Sequence, residues 1–537
     1  LSNFGKELLD IQGVLAKERA PWESLWAEVS PLVLPRQDSF FGKNSTSGMK
    51  RSTEKVDDTA PLALERGSAG IEGILIPRKQ LWHGIVPDMD REATFEELEW
   101  GERVRDFMFK HRYRASANFA SQAHEMIMSL LAFGTGVMSI EDSVGEGIKY
   151  RNCHISEHYI MENQYGSVDT DYRMYKLTAR QAVEKFKENT PETVAKIAEK
   201  TPTEKIEFLH VVMPDKNRDT NYKFASYHLL AETGEMIHVG GFKSFPYVIS
   251  RWVTAPNEVY GRSPAMTVLS EIKMLNQIRK TDLRARHNAV APPHLATDRQ
   301  SLSKVSLKSN SIIYGAISPD GKQLLRPYNF GARIDVSNQT IEQSRTVIND
   351  AFFVTLFQIL VNTPQMTATE VLSRDQEKGT LLSPSAGRQN NEWLEPQIHR
   401  ELDIFTEYGV FEEGAILEMP ESIRDDGGIV SVDFSNPLSL MQKSNEALGA
   451  EKTIQSLLPI SQIDPTILDN VDWAKYAEIL RKANGAPVGL FKSPDVIEAE
   501  QAQKKEMSDM QGLAQMAPQM AGAVKDIAQA QSFTEGK

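Results

Sequence analysis

Apolar side chains at Phe4, Leu8, Ile11, Leu15, Trp22, Leu25, Trp26 and Val29 recur mostly at three- and four-residue intervals. This spacing predicts an amphipathic helix over 4–29, interrupted near Pro21 and stopped by Pro31 and Pro35. Polar residues 42–55 read as a loop. Helices return at 57–76, where Pro61 falls in a first turn and Pro77 ends the run, and again at 96–110 and 118–133. Gly134-Thr135-Gly136 then leads into a strand-like run at 137–141. Thr178 and Gln181 form a capping box, in which hydroxyl and amide satisfy free backbone donors. A helix is predicted from there to about 189, restarted at Thr190-Pro191 and continuing to 200.

The pattern changes over 205–252. β-branched and aromatic runs, separated by turn signals at 214–221 and 232–235, predict a small sheet between helical blocks. Ser263 and Pro264 then cap a long helix to about Val290, with Val268, Leu269, Ile272, Leu275, Ile278 and Leu283 as its apolar positions. Its polar face holds Lys273, Arg279, Lys280, Arg284, Arg286 and His287, opposed by Glu271 and Asp282. Short strands are predicted between 294 and 335, with a turn at Pro319-Asp320-Gly321. A helix over 339–360 and a break at 361–366 follow. A second capping box, Thr367 with Glu370, opens a long helical stretch to about 407, kinked at Gly379, Pro384, Gly387 and Pro396. A strand at 429–434 and a two-piece helix over 438–483 precede an Ala-, Gln- and Met-rich end, 498–537, predicted to fray. The fold class is α+β, mainly helical.

Composition narrows the function. The 537 residues, 40% of them hydrophobic, suffice for a large core and about three to four structural units. A net charge of −13 argues against gripping DNA over the whole surface but leaves room for a local basic face. Cys153 is the one cysteine, so an internal disulfide and a cysteine metal cluster are excluded. The most apolar stretch, 126–140, is shorter than the ~20 residues of a membrane helix, and residues 1–12 lack a signal-peptide pattern. A soluble protein without a membrane partner is expected.

Enzyme motifs are absent: no phosphate loop, HEXXH, G-x-S-x-G or G-x-G-x-x-G occurs. Asp169 and Asp171 could hold a metal, as in a nuclease, or be ordinary surface acids. Cys153, His154 and His158 supply one thiol and two imidazoles, an incomplete tetrahedral zinc set. No catalytic residue, cofactor or metal site is assigned. The basic face of 264–290 is either a solvated helix face or a stripe facing phosphate backbone.

The order of short motifs decides between these readings. Asp57-Asp58-Thr59-Ala60-Pro61 is followed by Ala63-Leu64, Ala69-Gly70, Gly73 to Pro77 and Leu81-Trp82. Then come Ala117-Asn118-Phe119, Leu131, Gly134 to Val137, Gly166 to Asp169, Arg173, and Leu177 to Ala182. Tyr260-Gly261-Arg262-Ser263-Pro264-Ala265 precedes the basic helix, and Met366 to Val371 precedes the long kinked one. Over roughly residues 15–500 the chain resembles the head-to-tail connector, or portal, proteins of T7-like short-tailed bacteriophages (podoviruses).

The resemblance implies a portal fold assembled as a ring, usually of twelve copies, at one capsid vertex of the virion. Double-stranded DNA would pass its channel during packaging and ejection, without sequence specificity. Implied partners are the terminase motor, the major capsid and scaffolding proteins, and the tail adaptor and nozzle proteins. Residues 1–177 and 291–366 would form the wing, 178–200 and 256–290 the two stem helices, and 201–255 the clip. Residues 367–485 would carry the long kinked helix and crown, and 486–537 a partly disordered tail. Lys273, Arg279, Lys280, Arg284 and Arg286 become DNA-channel candidates. Asn362, Thr363 and Gln365 fall at the tunnel-loop position, or in a plain connection between helices. Trp22, Trp26, Trp82 and Phe133 are expected in the core or at subunit contacts. The alternatives are a metal-dependent nucleic-acid enzyme and another ring-forming virion component, such as a tail adaptor.

Overall fold

The computed structural model describes residues 2–37, 40, 55–87, 93–143, 147–215, 222–290, 294–296, 317–327, 334–358, 382, 384–425, 427–461, 465–490 and a few positions between 492 and 507. The helices are α1 (Ser2–Val33), α2 (Thr59–Leu75), α3 (Phe95–Arg112), α4 (Phe119–Phe133), α5 (Ala179–Phe186), α6 (Glu192–Lys200), α7 (Pro264–Thr267), α8 (Leu269–Val290), α9 (Ile334–Ala351), α10 (Val354–Gln358), α11 (Glu395–Glu407), α12 (Glu421–Asp425), α13 (Pro437–Ser461) and α14 (Trp473–Asn484). The strands are β1 (His83–Pro87), β2 (Thr135–Ser143), β3 (Gly147–Cys153), β4 (His158–Glu162), β5 (Val168–Thr178), β6 (Lys205–Pro214), β7 (Phe224–Leu230), β8 (Met236–Phe242), β9 (Tyr247–Arg251), β10 (His294–Ala296), β11 (Leu325–Pro327) and β12 (Val430–Phe434). The fold is mixed α+β. The chain divides into two units, one of residues 1–82, 108–409 and 436–438, the other of 83–107, 410–435 and 439–537.

The first unit holds an antiparallel five-stranded sheet ordered β4-β5-β6-β7-β8 and a three-stranded sheet ordered β3-β2-β9. Alternation along the strands gives the larger sheet two different faces. One face meets α1, where Leu8 is buried with Tyr172, Leu209, Val211 and Leu229. The other meets α5 and α6, where Ala182, Phe186 and Val194 pack on Tyr175, Phe208, Leu230 and Ile237. Beside that apolar cluster runs a polar rung across all five strands: His158, Arg173, His210, His228 and His238 stand directly opposite one another in register.

Several expectations are corrected here. α1 runs through both Pro21 and Pro31 without a break, because Trp26, Val29 and Leu32 are buried along one face and tertiary packing outweighs the lost backbone bonds. The segment 178–200 is two helices, with the expected restart at Pro191, rather than one continuous stem helix. The capping box at Thr178 and Gln181 forms, but α5 ends at Phe186, earlier than predicted, because Lys187 has a φ of +47°. The sheet of 205–252 is not self-contained either. Its β6 pairs with β5 from upstream, while β9 joins β2 in the other sheet. The helix predicted over 339–360 is divided by Phe353, at φ +61°. Residues 361–366 and the capping box at Thr367 lie outside the described residues. The long stretch after it contains a π-helical turn at Asn390–Leu394, just before Pro396.

Two glycines bring the motifs together. Gly134 ends α4 in the left-handed region, at φ +79°, and its N–H donates to the Leu130 carbonyl. A Cβ there would lie 2.1 Å from the Gly261 carbonyl oxygen, and one on Gly261 would lie 2.2 Å from that of Gly134. Ser263 then donates to the Ala132 carbonyl and accepts from the Met266 N–H, fixing the start of α7 and hence of α8. Around this crossing Trp26, Phe40, Phe133 and Tyr260 form a buried aromatic cluster, with Trp22 at its edge. Trp82 is buried elsewhere in the unit, beneath the Arg112 guanidinium, which pairs with Glu401 at 2.6 Å.

In the second unit β1 pairs antiparallel with β12. Residues 95–107 of α3 are opened by a capping box between Thr94 and Glu97. Trp100 donates to the Leu417 carbonyl at 3.2 Å and meets Phe411 edge-on. α14 is capped by Asp472 and closed by Gly485 at φ +62°.

Candidate nucleic-acid interface

The 22 residues of α8 extend about 33 Å. The helix is held by α9 and by the segment that leads into α2. Asp57, buried just before α2, is the junction. Its backbone N–H and that of Val56 donate to Asn276 Oδ1. One carboxylate oxygen accepts from Thr59, which sets the start of α2. The other takes Arg345 of α9 at 2.8 Å, with Arg279 of α8 at 3.8 Å. Burial pushes the Asp57 carboxyl up, but the hydrogen bonds from Thr59 and Arg345 outweigh it and hold it below the usual range. Arg345 is raised for the same reason, through its hydrogen bond to Asp57.

The five basic candidates divide on this frame. Arg279 and Arg286 turn toward the buried Asp282 of their own helix, at 3.5 and 2.8 Å, and Arg286 also donates to Asn338. Lys273 pairs with Glu28 of α1, both side chains half-exposed. Lys280 and Arg284 are exposed and make no ion pair among the described residues. With 100° per residue, Lys273, Lys280, Arg284 and His287 fall on one stripe, opposite Leu275 and Asp282. So α8 carries two kinds of basic residue, one neutralised against the core and one presented outward. The sequence did not reveal Asp57, Asn276 or Arg345 as anchors. The available signal was the Asp57-x-Thr59 spacing, in which an aspartate side chain accepts from the backbone two residues on.

The described residues between positions 6 and 491 sit within the match to the family "Bacteriophage head to tail connecting protein", which spans 6–491. The chain belongs to that family. It is 26% identical to the portal protein of Salmonella phage epsilon15, over 99% of this chain and 94% of that one. It is 27% identical to the probable portal protein of Bordetella phage BPP-1, over 88% of this chain and 87% of that one. Two solved assemblies also align. One is the neck of an empty GTA particle, at 13% identity and TM-score 0.28, over 62% of this chain and 77% of that one. The other is the virion of a native gene transfer agent, at 11% and 0.28, over 65% and 79%. At those scores neither supports an argument about this head to tail connecting protein.

The other candidates from sequence resolve as follows. Asp171 is fully buried, its Oδ2 2.8 Å from His158 Nδ1, and Asp169 accepts from Thr170. His154 turns away to the Gln37 carbonyl and to Ser156, leaving Cys153 beside His158. Among the described residues no cluster of three His, Cys, Asp or Glu is placed to hold a metal. Burial works against a charge on His158, but Asp171 outweighs it and raises the imidazole to about 9. Burial raises the Cys153 thiol, yet Arg173 and His158 bring it below its ordinary value. These groups are shut inside the sheet, where they can hold charge but meet no substrate. Asn362, Thr363 and Gln365 lie outside the described residues. No described helix is long and apolar enough to cross a membrane.

Proposed function

We propose that this connecting protein is a phage portal: a ring of identical copies at one capsid vertex, twelve by the family pattern, enclosing a channel for double-stranded DNA. Near full-length similarity to portal proteins of two phages supports the role, and it favours a structural component of the virion rather than an enzyme. Motor, capsid, scaffolding and tail adaptor proteins are its partners in this reading. So are the assignments of wing, stem, clip and crown, with 256–290 as a stem helix.

The observation that carries the channel is the outward stripe of α8. Duplex DNA presents one charge per ~1.7 Å, and a conduit must touch it without holding it. Lys280 and Arg284, with Lys273 beside Glu28, offer a few cations per copy on a chain of net charge −13. Repeated around a ring, they supply weak, sequence-independent contacts. Arg279 and Arg286 set the helix instead, through Asp57 and Asp282. Electron microscopy of the purified protein tests the reading: rings with a hole that admits B-form duplex are expected. Monomers or dimers alone at high concentration would overturn it. The nuclease alternative predicts Mg²⁺-dependent cleavage that is lost when Asp169 and Asp171 are changed to Ala.

A further inference from the structure

A cavity of about 720 Å³ opens in the first unit beside the polar rung of the five-stranded sheet. Among the described residues of this unit five arginines are buried: Arg19, Arg112, Arg173, Arg251 and Arg400. Four of them hold a carboxylate, those of Glu23, Glu401, Glu157, and both Glu162 and Glu392 respectively. Arg400, which lines the cavity, does not, among the described residues. It is 3% exposed, its Nε is buried without a hydrogen bond, and Nη1 reaches only Ser244 Oγ, at 3.4 Å. Its guanidinium rests over Phe242. Glu407, Asp403, Asp142 and Glu141 act on its charge without an ion-pair contact, and burial outweighs them and lowers its pKa. A buried guanidinium without a contacting anion is costly, and its planar fork matches phosphate or carboxylate oxygens. Lys185 lines the same cavity and also lacks an ion pair among the described residues.

The remaining walls say which anion. His210 and His228 stack in parallel, 3.9 Å between ring centroids, and Tyr247 stands against His210. His210 donates to or accepts from both Tyr247 and Ser226, so the stack is fixed in place. Burial holds both imidazoles well below their ordinary range, so the stack is an uncharged aromatic surface. Glu141, Asp142 and Glu407 line the cavity as hydrogen-bond acceptors, and Lys243 is a further lining cation. Bare phosphate uses the cations alone. An acidic peptide side chain leaves the aromatic wall and the acceptors idle. A nucleotide engages all three, and the volume lies within the 300–1,000 Å³ of small-molecule sites. We propose that this cavity binds a mononucleotide, its phosphate at Arg400 and Lys185, its base on the His210–Tyr247 wall, and its hydroxyl or amino donors toward Glu141 and Glu407.

The chemistry is shared by a free nucleotide and by the phosphorylated end of a DNA strand. Isothermal titration of the full chain with dAMP, with a short 5′-phosphorylated single strand, and with inorganic phosphate distinguishes them. Binding of dAMP is expected, at least tenfold tighter than phosphate. A tighter strand than dAMP assigns the strand end, and equal affinity assigns the free nucleotide. Arg400→Gln should abolish binding. Lys185→Gln, at an exposed position, should weaken it about threefold to tenfold with unfolding unchanged, so a folding defect in the first variant leaves the test intact. Lys280→Gln with Arg284→Gln should leave it untouched, which separates this site from the α8 stripe and from the ring. No heat with dAMP at millimolar concentration, equal affinity for dAMP and phosphate, or unchanged binding in Lys185→Gln would each overturn the proposal. So would an assembled particle in which an acidic side chain of a second copy occupies Arg400.

Discussion

Basic residues cluster in two places of the first unit and are treated in opposite ways. Across the five-stranded sheet, His158, Arg173, His210 and His228 share one rung and are all buried. Each has its charge answered or suppressed inside the protein: Asp171 partners His158, Glu157 partners Arg173, and the stacked pair is kept neutral. On α8 the same kind of spacing splits. Arg279 and Arg286 meet Asp282, while Lys280 and Arg284 stay in water. What separates the two regions is desolvation. A buried cation that finds a carboxylate within the fold becomes structure; an exposed one remains available to an outside anion.

The largest effect should come from breaking the buried side of this contrast. Asp171→Ala leaves His158, which is fully buried, without its acceptor. A loss of about 3–5 kcal/mol is expected, measured by chemical denaturation of the full chain. A loss below about 1 kcal/mol would mean that the rung is not holding the sheet.

The same pair predicts a pH dependence. His158 is raised from 6.5 to about 9, so between those values the folded chain holds a proton that the unfolded chain releases. Stability from this group is complete below pH 6.5 and is lost as pH rises through about 9, by about 3 kcal/mol. Urea midpoints taken across that window should fall, and Asp171→Asn should flatten the trend. A parallel slope in the variant would assign it to other groups.

The anchored side of α8 should respond less. Asp57→Ala removes the acceptor of Thr59 at the start of α2 and one of the two carboxylate partners of the partly exposed Arg345. About 2 kcal/mol is expected, most of it from the lost hydrogen bonds to Thr59. Its denaturation midpoint therefore belongs between those of Asp171→Ala and any change on the stripe.

These two regions also show how much was legible beforehand. The helices came from apolar spacing, and α4, α8 and the Thr178 capping box lie close to where that spacing puts them. Strands β3, β4 and β5 were not predicted. Their inward positions include Tyr150, His158, Asp171 and Arg173, and a polar residue facing a core does not announce itself by alternation. Pro21 misled for the matching reason, since the buried face around Trp26 carries the helix through it. Among the site residues, sequence named all five cations of α8 but could not sort them. Sorting needs Asp57 and Glu28, which lie more than 200 positions away along the chain.

The smallest effect on stability carries the most information about function. Lys280→Gln with Arg284→Gln should leave unfolding within about 0.5 kcal/mol, because neither side chain has an ion-pair partner to lose among the described residues. Arg286→Gln should cost more, since it strips Asp282 of a charge-assisted bond while that carboxylate stays buried. DNA retention by assembled particles should show the reverse order. Neutralising one phosphate fewer reduces the slope of log affinity against log salt by about 0.9, so the exposed pair should flatten that slope and Arg286→Gln should not. If both variants flatten it equally, the split between anchoring and outward cations fails. If neither does, the stripe is a solvated helix face and the channel lining lies elsewhere in the chain.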